Sequence, residues 1–201
     1  MNPFVTQAYT PDMLEIVADL LAESYLTNPI HMAVFGGAGK PQYQNNRTLF
    51  SKKLAKRYLE GEKIVVLEKD QILGFAHWGY GACFRAPPDK LEKAMPGLID
   101  TFGDDNAERL AEWTRQWGKH DPLTEHIHLG PIGVLKTYQG MGIGSLMMNN
   151  FCDYLDKNKK FAYMETDRVE NIGFYKKFGF EVTGEVEVLD VPTWLMARNV
   201  Q

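Results

Sequence analysis

Three glycines alternate with apolar residues in TYQGMGIGSLMM, Thr137 to Met148, immediately before helix-forming sequence. Glycine costs roughly 0.5–1 kcal/mol relative to alanine inside regular structure. Something must offset that cost where a helix has to start. A helix N-terminus presents unpaired N–H groups and a partial positive charge, and so attracts anions. Glycines let a phosphate come against those groups with no Cβ in the way, which points to a ligand carrying a pyrophosphate. Two common versions of such a site fit poorly. A P-loop needs lysine followed by a hydroxyl residue after its last glycine, and Ile143–Gly144–Ser145–Leu146 lacks both in place. The segment FGGAGKP has Val34 at the first glycine position and Pro41 at the hydroxyl position. A dinucleotide fingerprint starting at Gly140 needs glycine where Ser145 stands.

Other side chains could move protons. His126 and His128 share one face of a strand by alternation, and a histidine of ordinary pKa accepts a proton near neutrality. Glu125 adjoins them. Tyr175 carries a phenol whose reference pKa, about 10, lies close to a thiol's. Taken alone, Tyr175 reads more simply as a core aromatic. Cys152 reads as a small buried hydrophobe rather than a nucleophile.

The elements that must position these groups follow from periodicity. Phe4 to Tyr9 forms a first strand, and Thr10–Pro11–Asp12 reads as an N-cap with proline at the first helical position. The helix that follows, with Met13, Ile16, Val17, Leu20, Leu21 and Tyr25 at helical spacing, is expected to reach about Thr27. NPIHMAVFGGAGKPQ reads as loop. A second amphipathic helix buries Leu49, Phe50, Leu54 and Tyr58 and presents Lys52, Lys53, Lys56 and Arg57 to solvent. KIVVLEKDQILGFAHWGY is a hairpin. Cys83 to Pro122 reads as an insertion with one helix, Asp104 to about Gly118, that stripes Ala107, Leu110, Trp113 and Trp117. EHIHLGPIGVL is a strand whose Gly130–Pro131 pair suggests a bulge or splay. The helix after the glycine turn carries Ile143, Met147, Phe151, Tyr154 and Leu155 inward. FAYMET is a strand, NIGFYKKFG a short helix, and FEVTGEVEV with TWLMARN a closing antiparallel pair. The fold class is α/β, with a strand–glycine turn–helix–strand unit in the second half.

Bulk properties narrow the setting. A chain of 201 residues with 44% hydrophobic and 24% charged residues suits one globular domain. A net charge of −4 gives no reason to expect nucleic acid or an anionic membrane as partner. Two cysteines are too few for a disulfide scaffold. No signal-peptide pattern and no run of membrane-spanning length is present, so a cytoplasmic location is expected.

Gln139-x-x-Gly142-x-Gly144, following a strand and opening a helix, resembles the acetyl-coenzyme A signature of the GNAT acetyltransferase superfamily. NIGFYKKFGFEVTGE, about thirty residues on, looks like that superfamily's second cofactor motif, with Tyr175 at its tyrosine position. The order of elements matches as well. HIHLGPIGVLKTYQGMGIGSLMM, NIGFYKKFGF and VPTWLMARN lean toward the puromycin-acetyltransferase-like group. The likeness is strong from about Glu125 to Asn199 and looser from Phe4 to Tyr80.

The resemblance implies a mixed sheet of about seven strands with a splayed fourth strand and helices on both faces. One N-acetyltransferase domain would span residues 1–201, with a helical insertion at about 83–122. It implies acetyl transfer to a small-molecule or peptide amine by direct attack, with coenzyme A as co-product. Ile132, Gly133 and Val134 would line the pantetheine arm, and Gln139, Gly140, Met141, Gly142, Ile143, Gly144 and Ser145 would hold the pyrophosphate. Tyr175 would protonate the leaving thiolate. The position of the family's strand carboxylate falls on His128, leaving His128, Glu125 or a water chain as routes for the amine's proton. Asn171 is expected to cap the short helix and to bond the cofactor arm. Arg168 stands where relatives carry asparagine, and Asn28–Pro29 where they often carry aspartate before proline. The insertion would be a lid over the acceptor, through FRAPPDK, or a homodimer surface. A non-catalytic acyl-coenzyme A sensor and a transferase of longer acyl groups are the other readings of the same motifs.

Overall fold

In a computed structural model, residues 3–37, 39–56, 60–84 and 87–200 are described; the side chains of Lys56, Cys83 and Phe84 are not. Seven strands form one sheet in the order β1-β2-β3-β4-β5-β7-β6. These are β1 (Val5–Ala8), β2 (Glu62–Glu68), β3 (Gln71–Tyr80), β4 (Ile127–Val134), β5 (Ala162–Thr166), β6 (Glu181–Val188) and β7 (Val191–Arg198). Only β4 and β5 run parallel; the other neighbours are antiparallel. The β2–β3 hairpin turns on Lys69 and Asp70, both at positive φ, the backbone that a two-residue loop between right-twisted strands requires.

Helices cover both faces. On one, α1 (Leu14–Ser24) and α3 (Lys40–Lys56) pack Val17, Leu21, Phe50 and Leu54 on Val65 and Phe75. On the other, α7 (Ile143–Asn158) and α8 (Val169–Lys176) pack Met147, Phe151 and Tyr175 on Met164, Phe180 and Met196. A third apolar group joins α2 (Pro29–Phe35), α5 (Pro88–Phe102) and α6 (Asp104–His120) to β6 through Ile30, Val34, Phe102, Leu110, Trp113 and Val188. A short α4 (Gly81–Phe84) follows β3.

Several local expectations need correction. The segment read as loop after Thr27 contains α2. Asn28 Oδ1 accepts from the His31 N–H, Pro29 opens the first turn, and Gly36 closes the helix at φ 81°. Those are the start and stop signals of a short helix, overlooked because the glycines further on dominate the segment. The first helix ends at Ser24, short of Thr27, and Thr10 makes no side-chain cap. The insertion holds α5 as well as α6, and α5 continues through Pro96. The expectations for Arg57 and Tyr58, and for Arg85 and Ala86 of the lid segment, lie outside the described residues.

The architecture turns on where β4 leaves β5. Only Ile127↔Ala162 and His128↔Tyr163 are registered between them, although β4 continues to Val134 beside β3. A bulge marks the departure: Leu129 faces Trp78 and Ile132 faces Ala76, so Gly130 and Pro131 together oppose His77. Beyond it α1 presses onto β4 at Gly133. A Cβ there would lie 2.9 Å from Leu21 Cδ2 and 3.2 Å from Ser24 Oγ. Only glycine admits the helix so closely.

Two buried histidines give the fold an acid limit. His31 lies among Tyr25, Phe50 and Trp113, with Nδ1 2.8 Å from Asn46 Oδ1. Burial lowers its pKa to about 3, and the Asn46 bond only partly offsets this. His77 spans the carbonyls of Glu60 and Gly130 at 2.9 and 3.2 Å, and burial lowers it to about 4. Below their ordinary value of 6.5 the unfolded chain binds protons that the native state refuses, so stability falls as pH drops. The expected slope is about 1.4 kcal/mol per pH unit per histidine between roughly pH 6 and 4.5. Urea midpoints across that range should show it, and His31→Gln should flatten the slope measurably.

Candidate active site

One cavity of about 1210 Å³ runs from the glycine turn, past the unpaired edge of β4, to α2, α5 and α6. Its floor is backbone. Leu135 donates its N–H to Leu73 O on β3, and alternate residues of an antiparallel strand address the same neighbour. Gly133 therefore bonds toward β3, while Ile132 and Val134 turn their N–H and C=O groups into the gap. The Ile132 carbonyl accepts from Tyr25 Oη at 3.3 Å. The Val134 carbonyl accepts from Ser24 Oγ at 3.0 Å and Gln139 Nε2 at 3.1 Å.

Past that edge the chain rises into the turn. Gly140 and Gly142 stand at φ 79° and 89°. Gly142 is the N-cap of α7, no side chain caps the helix, and its carbonyl accepts the Leu146 N–H. The N–H groups of Ile143, Gly144 and Ser145 thus have no intrahelical acceptor by position. They sit at the positive end of a 16-residue helix. A Cβ on Gly142 would meet nothing within 4 Å, so the turn opens onto free space.

Of the turn residues expected to hold a pyrophosphate, all but Met141 border this cavity. Met141 is exposed and is not part of the cavity wall, because the turn directs its side chain to solvent. Ile143 contributes backbone alone, its side chain being buried in the core. The residues present fit a pyrophosphate at the turn and an extended amide-bearing arm along β4.

The proton-handling groups gather where β4 and β5 still pair. His128 Nε2 lies 3.2 Å from Glu165 Oε2, and its Nδ1 lies 3.6 Å from Asp121 Oδ1. The Glu165 side chain is 2% exposed. The two side chains thus stand close together in a corner largely closed to water. His126 is anchored at both nitrogens, by Thr124 O at 2.8 Å and Asp121 Oδ1 at 3.1 Å. It packs under Gly81, where a Cβ would collide with its ring, and is structural. Glu125 drops out as a base: it is exposed and pairs with Lys160 at 2.6 Å.

Tyr175 is buried against Phe174 and Phe180 and borders the cavity. Burial, reinforced by the Asp167 carboxylate, holds its phenol well above the ordinary value of 10. Asp167 accepts from Asn28 Nδ2 at 2.7 Å and from the Ile30 N–H at 2.8 Å. Burial pushes its carboxyl up against the pull of those bonds.

Asn171 does not cap α8. Arg168 holds the N-cap position with extended backbone, and Asn171, one turn in, donates to Thr166 Oγ1 at 3.3 Å. Arg168 itself bonds Thr27 Oγ1 at 2.6 Å and the Thr27 carbonyl.

Sequence reasoning passed over Asp121, Glu165 and Asp167. A signal for the last two is present: in YMETD, Glu165 and Asp167 fall at every second position in phase with Tyr163, at the end of a central strand and just past it. Lys52 and Lys53 were read as a solvated face, yet both border the cavity, and Lys53 Nζ lies 5.3 Å from the Trp113 ring centre. Cys152 is half-buried at the Phe178 carbonyl, away from the cavity, and burial raises its thiol.

A splayed parallel pair feeding a glycine turn at a helix N-terminus is an architecture suited to a ligand with an anionic group and an extended arm. The model of the acetyltransferase (GNAT) family matches residues 37–180, and the chain belongs to that family and is an acetyltransferase. Its fold is similar to that of histone acetyltransferase HPA2 and related acetyltransferase from Corynebacterium glutamicum. There the TM-score is 0.75 at 20% identity, over 98% of this chain and 97% of that one. It is also similar to arylalkylamine N-acetyltransferase 2 from Aedes aegypti, with a TM-score of 0.69 at 14% identity over 98% and 99% of the two chains. Polyamine N-acetyltransferase from Drosophila melanogaster aligns with a TM-score of 0.67 at 11% identity, over 98% and 100%.

Gly142→Val tests the turn. A branched side chain would fill the open space at a backbone angle that L-residues resist. Coenzyme A affinity measured by calorimetry should fall at least about tenfold, with the circular dichroism spectrum retained.

Proposed function

We propose that this acetyltransferase uses acetyl-coenzyme A to acetylate a primary amine by direct attack, with no acyl-enzyme. The observation that carries the reading is the single cavity that joins the glycine turn to the His128–Glu165 pair and to Tyr175. Acetyl-coenzyme A supplies an acetyl group activated as a thioester. N–H groups from Ile143 to Ser145 would bind its pyrophosphate, and the inward groups of Ile132 and Val134 would bind its arm, Val134 through its N–H.

An amine must lose a proton to become a nucleophile. His128, through a ring nitrogen, is the acceptor for it, with the Glu165 carboxylate 3.2 Å from its Nε2 in a nearly dry corner. The low local dielectric strengthens the pull on an incoming ammonium. Asp121, on the far side of the imidazole, stabilises the charge that the ring then carries. Tyr175 Oη–H is the donor for the leaving thiolate. Its raised pKa keeps it protonated across the working range, so it never limits activity by ionising. The position of Cys152 outside the cavity supports direct transfer over a thioester on the enzyme.

Tyr175→Phe should lower kcat by about 10²–10⁴-fold, the range for a lost acid–base group, with coenzyme A affinity unchanged. The pH profile should keep its shape up to about pH 10, since a phenol raised above that value contributes no alkaline limb. His128→Gln should lower kcat by a comparable factor. Thiol release from acetyl-coenzyme A in the presence of an amine measures both. Full turnover in either variant would remove that residue from the mechanism.

A further inference from the structure

Sites for a single small ligand run about 300–1,000 Å³, and this cavity, at about 1210 Å³, has room for a second molecule beside the cofactor arm. The part away from the glycine turn is bounded by α2, α3, α5 and α6, and its charges are sorted by depth. At the inner end stand the carboxylates of Asp121, Glu165 and Asp167, all on buried side chains or nearly so. Lys52 and Lys90 stand at the opening, both exposed. Lys53 lies over the Trp113 ring, one layer further in.

Between these zones the wall is apolar and largely aromatic: Phe50, Leu98, Phe102, Leu110, Trp113 and Trp117. Trp113 and Trp117 meet edge to face at 5.0 Å. His31 completes the wall as a neutral ring, because burial keeps it uncharged at any working pH.

We propose that the acceptor is a small monoamine, with one primary amine at His128 and Glu165 and an apolar, aromatic body between Phe102 and Trp113. This rests on the amine-acetylation reading above and adds the substrate class to it. The inner carboxylates provide for one ammonium. A second cation, one carbon chain further out, would leave water for an aromatic wall without counter-charge and approach three lysines. Each like charge at that range costs a factor of several in affinity. A polyamine is therefore disfavoured at its second nitrogen. A lysine on a peptide is disfavoured for another reason: its backbone polar groups would be buried on an apolar wall. An aromatic body gains by stacking and by area removed from water.

The test is a comparison of kcat/KM for tryptamine, spermidine and a lysine-containing peptide, with coenzyme A binding followed separately by calorimetry. The wild-type protein should prefer tryptamine by at least about tenfold. Leu98→Asn should lower tryptamine kcat/KM about tenfold with coenzyme A affinity unchanged. The exposed pair Lys52→Glu with Lys90→Glu should raise spermidine kcat/KM about tenfold and leave tryptamine within about a factor of two. Preference for spermidine or the peptide, with coenzyme A still bound, would overturn the monoamine class and leave amine acetylation standing. Coenzyme A bound but no amine acetylated, or no coenzyme A bound at all, would overturn both.

Discussion

The parting of β4 from β5 is the constraint around which the molecule is arranged. A strand in mid-sheet that loses its neighbour exposes backbone N–H and C=O groups, and each one left dry and unpaired costs free energy comparable to a lost hydrogen bond. Here the inward carbonyls of Ile132 and Val134 take side-chain donors from Tyr25, Ser24 and Gln139. The helix that brings Ser24 and Tyr25 can do so only because residue 133 has no side chain. The gap is thus stable in the free protein and polar on its open edge. An extended ligand arm can bond there much as the missing strand would.

The same corner ties Tyr175 to the aromatic wall of the cavity. Asp167, just past β5, adds to the burial that raises the Tyr175 phenol and also accepts from Asn28 and the Ile30 N–H at the start of α2. Arg168 bonds Thr27 from the next position. The segment from Thr27 to Ile30 is therefore fastened to the β5–α8 corner by two successive residues, Asp167 and Arg168. Since α2 carries His31 and packs on α6 through Ile30 and Trp113, the aromatic wall of the cavity and Tyr175 share one support.

Burial also settles which ionisable groups can act. Burial disfavours the charged form of both His31 and His77; His31 shapes the site as a ring, and His77 packs between two backbone carbonyls. His128 differs from them by its neighbours: carboxylates stand on two sides of its ring, Glu165 at 3.2 Å and Asp121 at 3.6 Å. His126, two residues away on the same face, is committed at both nitrogens and cannot turn toward a substrate.

Periodicity and glycine placement in the sequence were enough to read the sheet, the splay at Gly130–Pro131, the turn and the helix it opens. Those features are local: a bulge, a positive φ and an amphipathic stripe each leave their mark within a few residues. Tyr175, His128 and the turn residues from Gln139 to Ser145, apart from Met141, came from motif spacing and do border one cavity. The rest depended on contacts between distant segments. Nothing near Asp121 shows that it lies beside His128, and nothing near Lys53 shows that it lies over Trp113 at a cavity wall. Arg168 breaks a sequence pattern, and its partner lies 141 positions away at Thr27. The depth at which a side chain sits decides whether it is a base, a bridge or a wall. Depth is a property of the packed chain, and no single segment carries it.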